Sequence, residues 1–191
     1  GKGLGVVIGA FGDSSALNVF VANDTVANYY FKNQGDTENG IPKFHEIGIV
    51  SGLSLSGTGS VQACMGVAAG DADGDGATDL FVTNFHGEPN TLYRQLQGGI
   101  FEDVSLRGRL RQPSLKKLGF GTQFLDADLD GQLDLVVANG HIDNFSQDGR
   151  TEYRMQPQFF ANQGQAEFRE VYPQTLGPYF DRKVLGRSLA R

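Results

Sequence analysis

The stretch Asp71-Ala-Asp-Gly-Asp-Gly-Ala-Thr-Asp79, running straight into Leu80-Phe-Val-Thr-Asn84, decides how this chain reads. Its counterpart is Asp126-Ala-Asp-Leu-Asp-Gly-Gln-Leu-Asp134, followed by Leu135-Val-Val-Ala-Asn139. Each phrase sets carboxylates at positions 1, 3, 5 and 9 and Gly at position 6. Four carboxylates in nine residues repel one another unless a hard cation sits among them. Calcium takes about six to eight oxygen ligands in flexible geometry, which an alternating-Asp loop with a Gly turn supplies. Tight turns alone need only one or two such residues. The expected ligands are the side chains of Asp71, Asp73, Asp75 and Asp79 with the carbonyl of Ala77. The second set is Asp126, Asp128, Asp130 and Asp134 with the carbonyl of Gln132. An EF-hand is excluded, because Val82 and Val137 stand where its bidentate Glu belongs.

The loops sit inside a longer repeat. Met65-Gly-Val-Ala-Ala-Gly70 leads into the first phrase and Phe120-Gly-Thr-Gln-Phe-Leu125 into the second. Asn90-Thr-Leu-Tyr-Arg94 and Gly99-Ile-Phe-Glu-Asp-Val104 close one copy; Gln158-Phe-Phe-Ala-Asn162 and Glu167-Phe-Arg-Glu-Val171 close the other. A worn copy opens the chain: Gly5-Val-Val-Ile-Gly9, then Ala10 to Asn18, then Val19-Phe-Val-Ala-Asn23. Loop starts at 10, 71 and 126 give spacings of 61 and 55 residues. In the worn loop the aligned positions are Ala10, Gly12, Ser14 and Asn18, and Asp13 falls where Gly74 falls, so no high-affinity metal site is expected there. The expected units are residues 1–63, 64–118 and 119–185, with an insertion near 140–157 and the start of a fourth copy at 186–191.

Each copy reads as four short strands divided by Gly, Asn and Asp turns. The strand after the acidic loop is apolar throughout rather than alternating, which suits a strand covered on both faces. The expected fold is all-β: four-stranded antiparallel propeller blades, about three of them, from an incomplete propeller. A four-stranded unit cannot bury its faces alone, so stacking stabilises it. No amphipathic helix is evident, although a turn or two could follow Arg107. The chain opens inside a repeat and without Met, so a piece of a longer protein is expected.

Composition agrees. Gly at 27 and Phe at 14 of 191 residues fit a turn-rich β protein. The net charge of −6 is largely the two loops, and two bound calcium ions would bring it to −2. The balance is not basic, so no nucleic-acid partner is expected. No apolar run approaches the ~20 residues of a membrane span. Lone Cys64 excludes an internal disulfide. A loop tuned to millimolar calcium points to an extracellular, periplasmic or cell-surface location.

Two further features bear on binding. Arg107, Arg109, Arg111, Lys116 and Lys117 crowd one connector, either as a solvated loop or as a site for acidic glycans. The insertion is polar, and His141, Asp143, Arg150 and Tyr153 are its candidate ligand-binding residues; long loops on rigid scaffolds often carry binding. His45 and His86 read as ordinary strand or turn residues. There is no catalytic constellation: no Gly-x-Ser-x-Gly elbow, no phosphate loop, no metal-ligand His spacing. No enzyme activity is therefore expected.

The loop, the apolar strand after it, the Asn-x-Leu-Tyr phrase and the Gly-x-Phe-x-Asp/Glu-Val close resemble the FG-GAP/VCBS repeat family. Val137-Ala-Asn-Gly-His-Ile142 and Leu185-Gly-Arg-Ser-Leu-Ala190 resemble its cartilage acidic protein type, often paired with an ASPIC/UnbV segment. The resemblance implies propeller blades, commonly seven, with metal-ligand roles on the two intact loops. It implies an extracellular adhesion or recognition scaffold with a protein or glycan ligand, completed by further blades or by self-association. A lyase-like part of a polysaccharide-processing enzyme and a purely structural spacer are the alternatives.

Overall fold

The computed structural model describes residues 2–13, 15–145 and 151–189. Twelve strands form three antiparallel four-stranded sheets, each a simple meander in chain order. The first holds β1 (Gly3–Gly9), β2 (Asn18–Asn23), β3 (Tyr29–Asp36) and β4 (Pro42–Glu46). The second holds β5 (Cys64–Gly70), β6 (Asp79–Asn84), β7 (Thr91–Leu96) and β8 (Ile100–Asp103). The third holds β9 (Gly119–Leu125), β10 (Asp134–Asn139), β11 (Gln158–Asn162) and β12 (Phe168–Glu170). The architecture is all-β, as the strand pattern requires. Two single-turn helices, α1 (Gly48–Ser51) and α2 (Arg111–Ser114), lie in the connectors between sheets.

The first strand of each sheet stacks on the first strand of the next, so β5 lies between β1 and β9. Glycine sets the spacing at this seam. A Cβ on Gly66 would sit 2.2 Å from the Phe120 carbonyl oxygen, and one on Gly5 would sit 3.1 Å from that of Met65. Gly121 repeats the arrangement: a Cβ there would meet the Leu189 nitrogen at 2.4 Å. Residues 187–189 therefore lie on β9 much as β9 lies on β5, and the Gly121 amide donates to the Arg187 carbonyl.

Two cores fill the spaces between sheets. Phe11, Phe20, Tyr30, Leu80, Val82, Tyr93 and Phe101 pack between the first and second. Phe81, Leu92, Phe124, Leu135, Phe160 and Phe168 pack between the second and third. Along β6, Leu80 and Val82 point into one core and Phe81 into the other. That two-sided burial is why the strand is apolar at every step, and each such side chain contributes about 1.5–3 kcal/mol. The outer face of β1 is different: Leu4, Val6 and Ile8 are 58%, 58% and 62% exposed. Their counterparts on β5 are covered: Val67 faces Gly5 of the preceding sheet, and the Met65 side chain packs in a smaller core with Ala63, Leu118 and Met155.

Candidate metal centre

Both acidic phrases form the hairpin between the first and second strands of their sheet. The first carboxylate curls the loop around itself. Asp71 accepts from the amides of Gly74 (2.8 Å), Asp75 (3.1 Å) and Gly76 (2.9 Å). Asp126 accepts from Asp130 and Gly131, each at 3.0 Å. Asp73 and Asp128 accept from the amide two residues on, as do Asp75 and Asp130. Gly74, Gly76 and Gly131 take positive φ, and so does Leu129, which stands where the other loop has Gly74.

The ninth residue pins the loop to the sheet. Asp79 accepts from the amides of Ala72 at 2.9 Å and Gln95 at 2.8 Å. Asp134 accepts from Ala127 at 3.2 Å and Asn162 at 2.9 Å. Asp79 is fully buried, and burial pushes its carboxyl up to about 7, with the charges of Asp73 and Asp75 adding to the rise. Burial raises Asp134 as well, against its two amide donors. A buried carboxylate held beside others is poorly solvated, and a nearby cation relieves it.

The donors gather accordingly. Carboxylate oxygens of Asp71, Asp73 and Asp79 lie within 4.8 Å of one another, as do those of Asp126, Asp128 and Asp130. Asp75 and Asp134 stand outside these triplets. Ala77 and Gln132 sit at the turns, where their amides donate to Asp75 and Asp130. The donor set is all oxygen and more acidic than the one neighbouring guanidinium, Arg94 at 3.5 Å from Asp73, can balance, which fits a hard divalent cation such as calcium.

The worn loop shows what happens without the charges. Asn18 takes the place of Asp79: its Oδ1 accepts from the Asn33 amide at 2.8 Å, while its Nδ2 donates to the Phe11 carbonyl. The pin survives with one hydrogen bond reversed. Ser14 lies outside the described residues.

A cross-brace invisible in the sequence links each of the first two loops to the following sheet. Gln95 donates to the Gly12 carbonyl at 2.8 Å and accepts from the Gly12 amide. Asn162, at the corresponding place one sheet on, donates to the Ala72 carbonyl at 2.8 Å and to Leu133 at 3.0 Å.

The insertion residues divide. His141 is buried, its Nδ1 against the Asp143 backbone and its amide donating to the Tyr153 carbonyl. Asp143 is exposed, Tyr153 is half-buried, and Arg150 lies outside the described residues. The His141 ring packs edge-on against Phe85 and Phe145, and His86 stands beside it with its ring centroid 6.2 Å away. Sequence reading separated these histidines, yet they share the 55-residue spacing of the repeat, which is the signal that pairs them. The basic connector also divides: Arg107 lies beside the loop 71–79, Arg109 pairs with Glu167 at 3.1 Å, and Lys116 and Lys117 line a cleft with His86 and Glu152.

The acidic hairpin and its apolar strand recur in register, and a comparison of sequences agrees. Residues 71–137 match the model of the FG-GAP-like repeat. The FG-GAP-like span contains both intact acidic loops and ends inside β10. No curated protein matches the chain. Among the described residues, no helix is long and apolar enough to cross a membrane.

Proposed function

We propose that this chain is a calcium-loaded segment of an extracellular, periplasmic or cell-surface β-propeller, acting as an adhesion or recognition scaffold and not as a catalyst. The buried Asp79 carboxylate, gathered with Asp71 and Asp73 and met directly by backbone amides rather than by a cationic side chain, carries the reading. Calcium supplies the missing positive charge and stiffens the hairpin that holds two strands. The Val137-Ala-Asn-Gly-His-Ile142 phrase supports placing it with the cartilage acidic protein type. The cleft lined by His86, Lys116, Lys117 and Glu152 joins the connector to the inserted loop and is where a protein or acidic glycan would dock. The bare face of Leu4, Val6 and Ile8 suits a further blade, from a longer chain or a second copy.

Calorimetric titration of calcium into chelator-stripped protein, with melting curves before and after, tests this. Two sites and a raised Tm are expected, since a ligand that binds only the folded state stabilises it by mass action. Absence of binding would reduce the acidic phrases to turns and remove the extracellular argument with them.

A further inference from the structure

The three sheets differ at one corresponding position next to the acidic hairpins. Strand register aligns Phe31, Tyr93 and Phe160, which pair with Val19, Leu80 and Leu135, each the first residue after loop position 9. The next residue in each case is Lys32, Arg94 or Ala161. In the first sheet the Lys32 ammonium reaches both oxygens of Asp13, at 2.7 and 2.8 Å. In the second, Arg94 lies 3.5 Å from Asp73 and 3.6 Å from Glu102. Its Nε is buried with no partner. In the third, Ala161 carries no charge, and among the described residues Asp126, Asp128, Asp130 and Asp134 make no ion pair.

We propose that this position sets how much of each loop's cation the protein itself provides. Resting on the calcium reading above, it orders the three loops. In the first, Lys32 stands in permanently for a metal ion, and Asp13, at loop position 4 rather than on the alternating pattern, meets it. In the second, Arg94 shares Asp73 with the incoming ion. Its guanidinium repels a divalent cation and must swing toward Glu102 as the loop fills. In the third, no cationic side chain competes among the described residues; of the side chains, only the neutral Gln132 amide donates to Asp130. The loop 126–134 therefore fills at lower calcium than the loop 71–79, and the protein responds to calcium in two stages.

The test isolates one loop at a time. In a background of Asp126→Asn and Asp128→Asn, only the loop 71–79 binds, and Arg94→Ala should tighten it about tenfold, the scale of one unit charge beside a partly exposed divalent ion. In a background of Asp71→Asn and Asp73→Asn, Ala161→Arg should weaken the loop 126–134 by a similar factor. Calcium affinity is read by calorimetry, and the melting temperature at saturating chelator confirms that each variant is folded. Dissociation constants within twofold of the parent background in both experiments would overturn the tuning role while leaving two calcium sites intact. Failure of the unmutated chain to bind calcium would overturn the calcium reading and this proposal together.

Discussion

Gly66→Ala puts the seam between sheets to a direct test. The new methyl would stand 2.2 Å from the Phe120 carbonyl oxygen, 3.0 Å from its carbon and 3.1 Å from Thr83 Oγ1. All three are closer than ordinary van der Waals contact, and the nearest belongs to backbone, which cannot rotate away. The inner strands β5 and β9 must separate, and the Thr83 hydroxyl loses its place between them. That hydroxyl accepts from the Gly66 amide at 2.9 Å and donates to the Phe120 carbonyl at 2.6 Å. Overpacking of this kind costs about 1–3 kcal/mol, and the weakened hydrogen bonds about 1 kcal/mol more. Against this, removing a glycine from the unfolded chain stabilises by about 0.4–1 kcal/mol. The net expectation is a loss of about 1–3.5 kcal/mol, or a Tm lower by about 2–14 °C for a chain of this size. Gly9→Ala is the control: its methyl meets only Phe11 ring carbons, the nearest at 3.4 Å, and no loss is expected. Scanning calorimetry at fixed calcium compares the two. A Gly66→Ala protein melting at or above the parent would refute glycine-spaced stacking, because propensity alone predicts that sign.

Asn162→Ala removes the donor that ties the third sheet to the Ala72 carbonyl and its own hairpin to the Leu133 carbonyl. It should cost about 2–4 kcal/mol, read as a lower urea midpoint, because buried carbonyls are left unpaired; an unchanged midpoint would contradict the brace. Cys64 is buried, and burial pushes its thiol from 9.0 up to about 12. Native protein at pH 8 should therefore alkylate at least ~100-fold more slowly than denatured protein, and equal rates would show the site to be open. The folded thiol stays neutral while the unfolded one ionises, so this residue draws stability down as pH rises above 9.0.

Local composition made much of this protein legible. Carboxylates at fixed spacing, a Gly turn and an apolar run sit within a dozen residues, so the hairpin loops, the four-strand units and the two-sided burial of β6 follow from the sequence. The worn loop was legible too, because Asn18 differs visibly from Asp79 and Asp134. What only tertiary structure decided are contacts between residues distant in the chain. Gln95 reaches Gly12 across 83 positions, and Asn162 reaches Ala72 across 90. His86 meets His141, and the connector cations divide between Arg107 beside the loop 71–79, Arg109 on Glu167, and Lys116 with Lys117 in one cleft. Lys32 and Arg94 are unremarkable in a strand sequence; only strand register sets them opposite loop position 9. Periodicity records which faces are buried, because burial acts on every residue of a strand. It does not record which polar side chain crosses to a neighbour, because one hydrogen bond leaves no pattern along the chain.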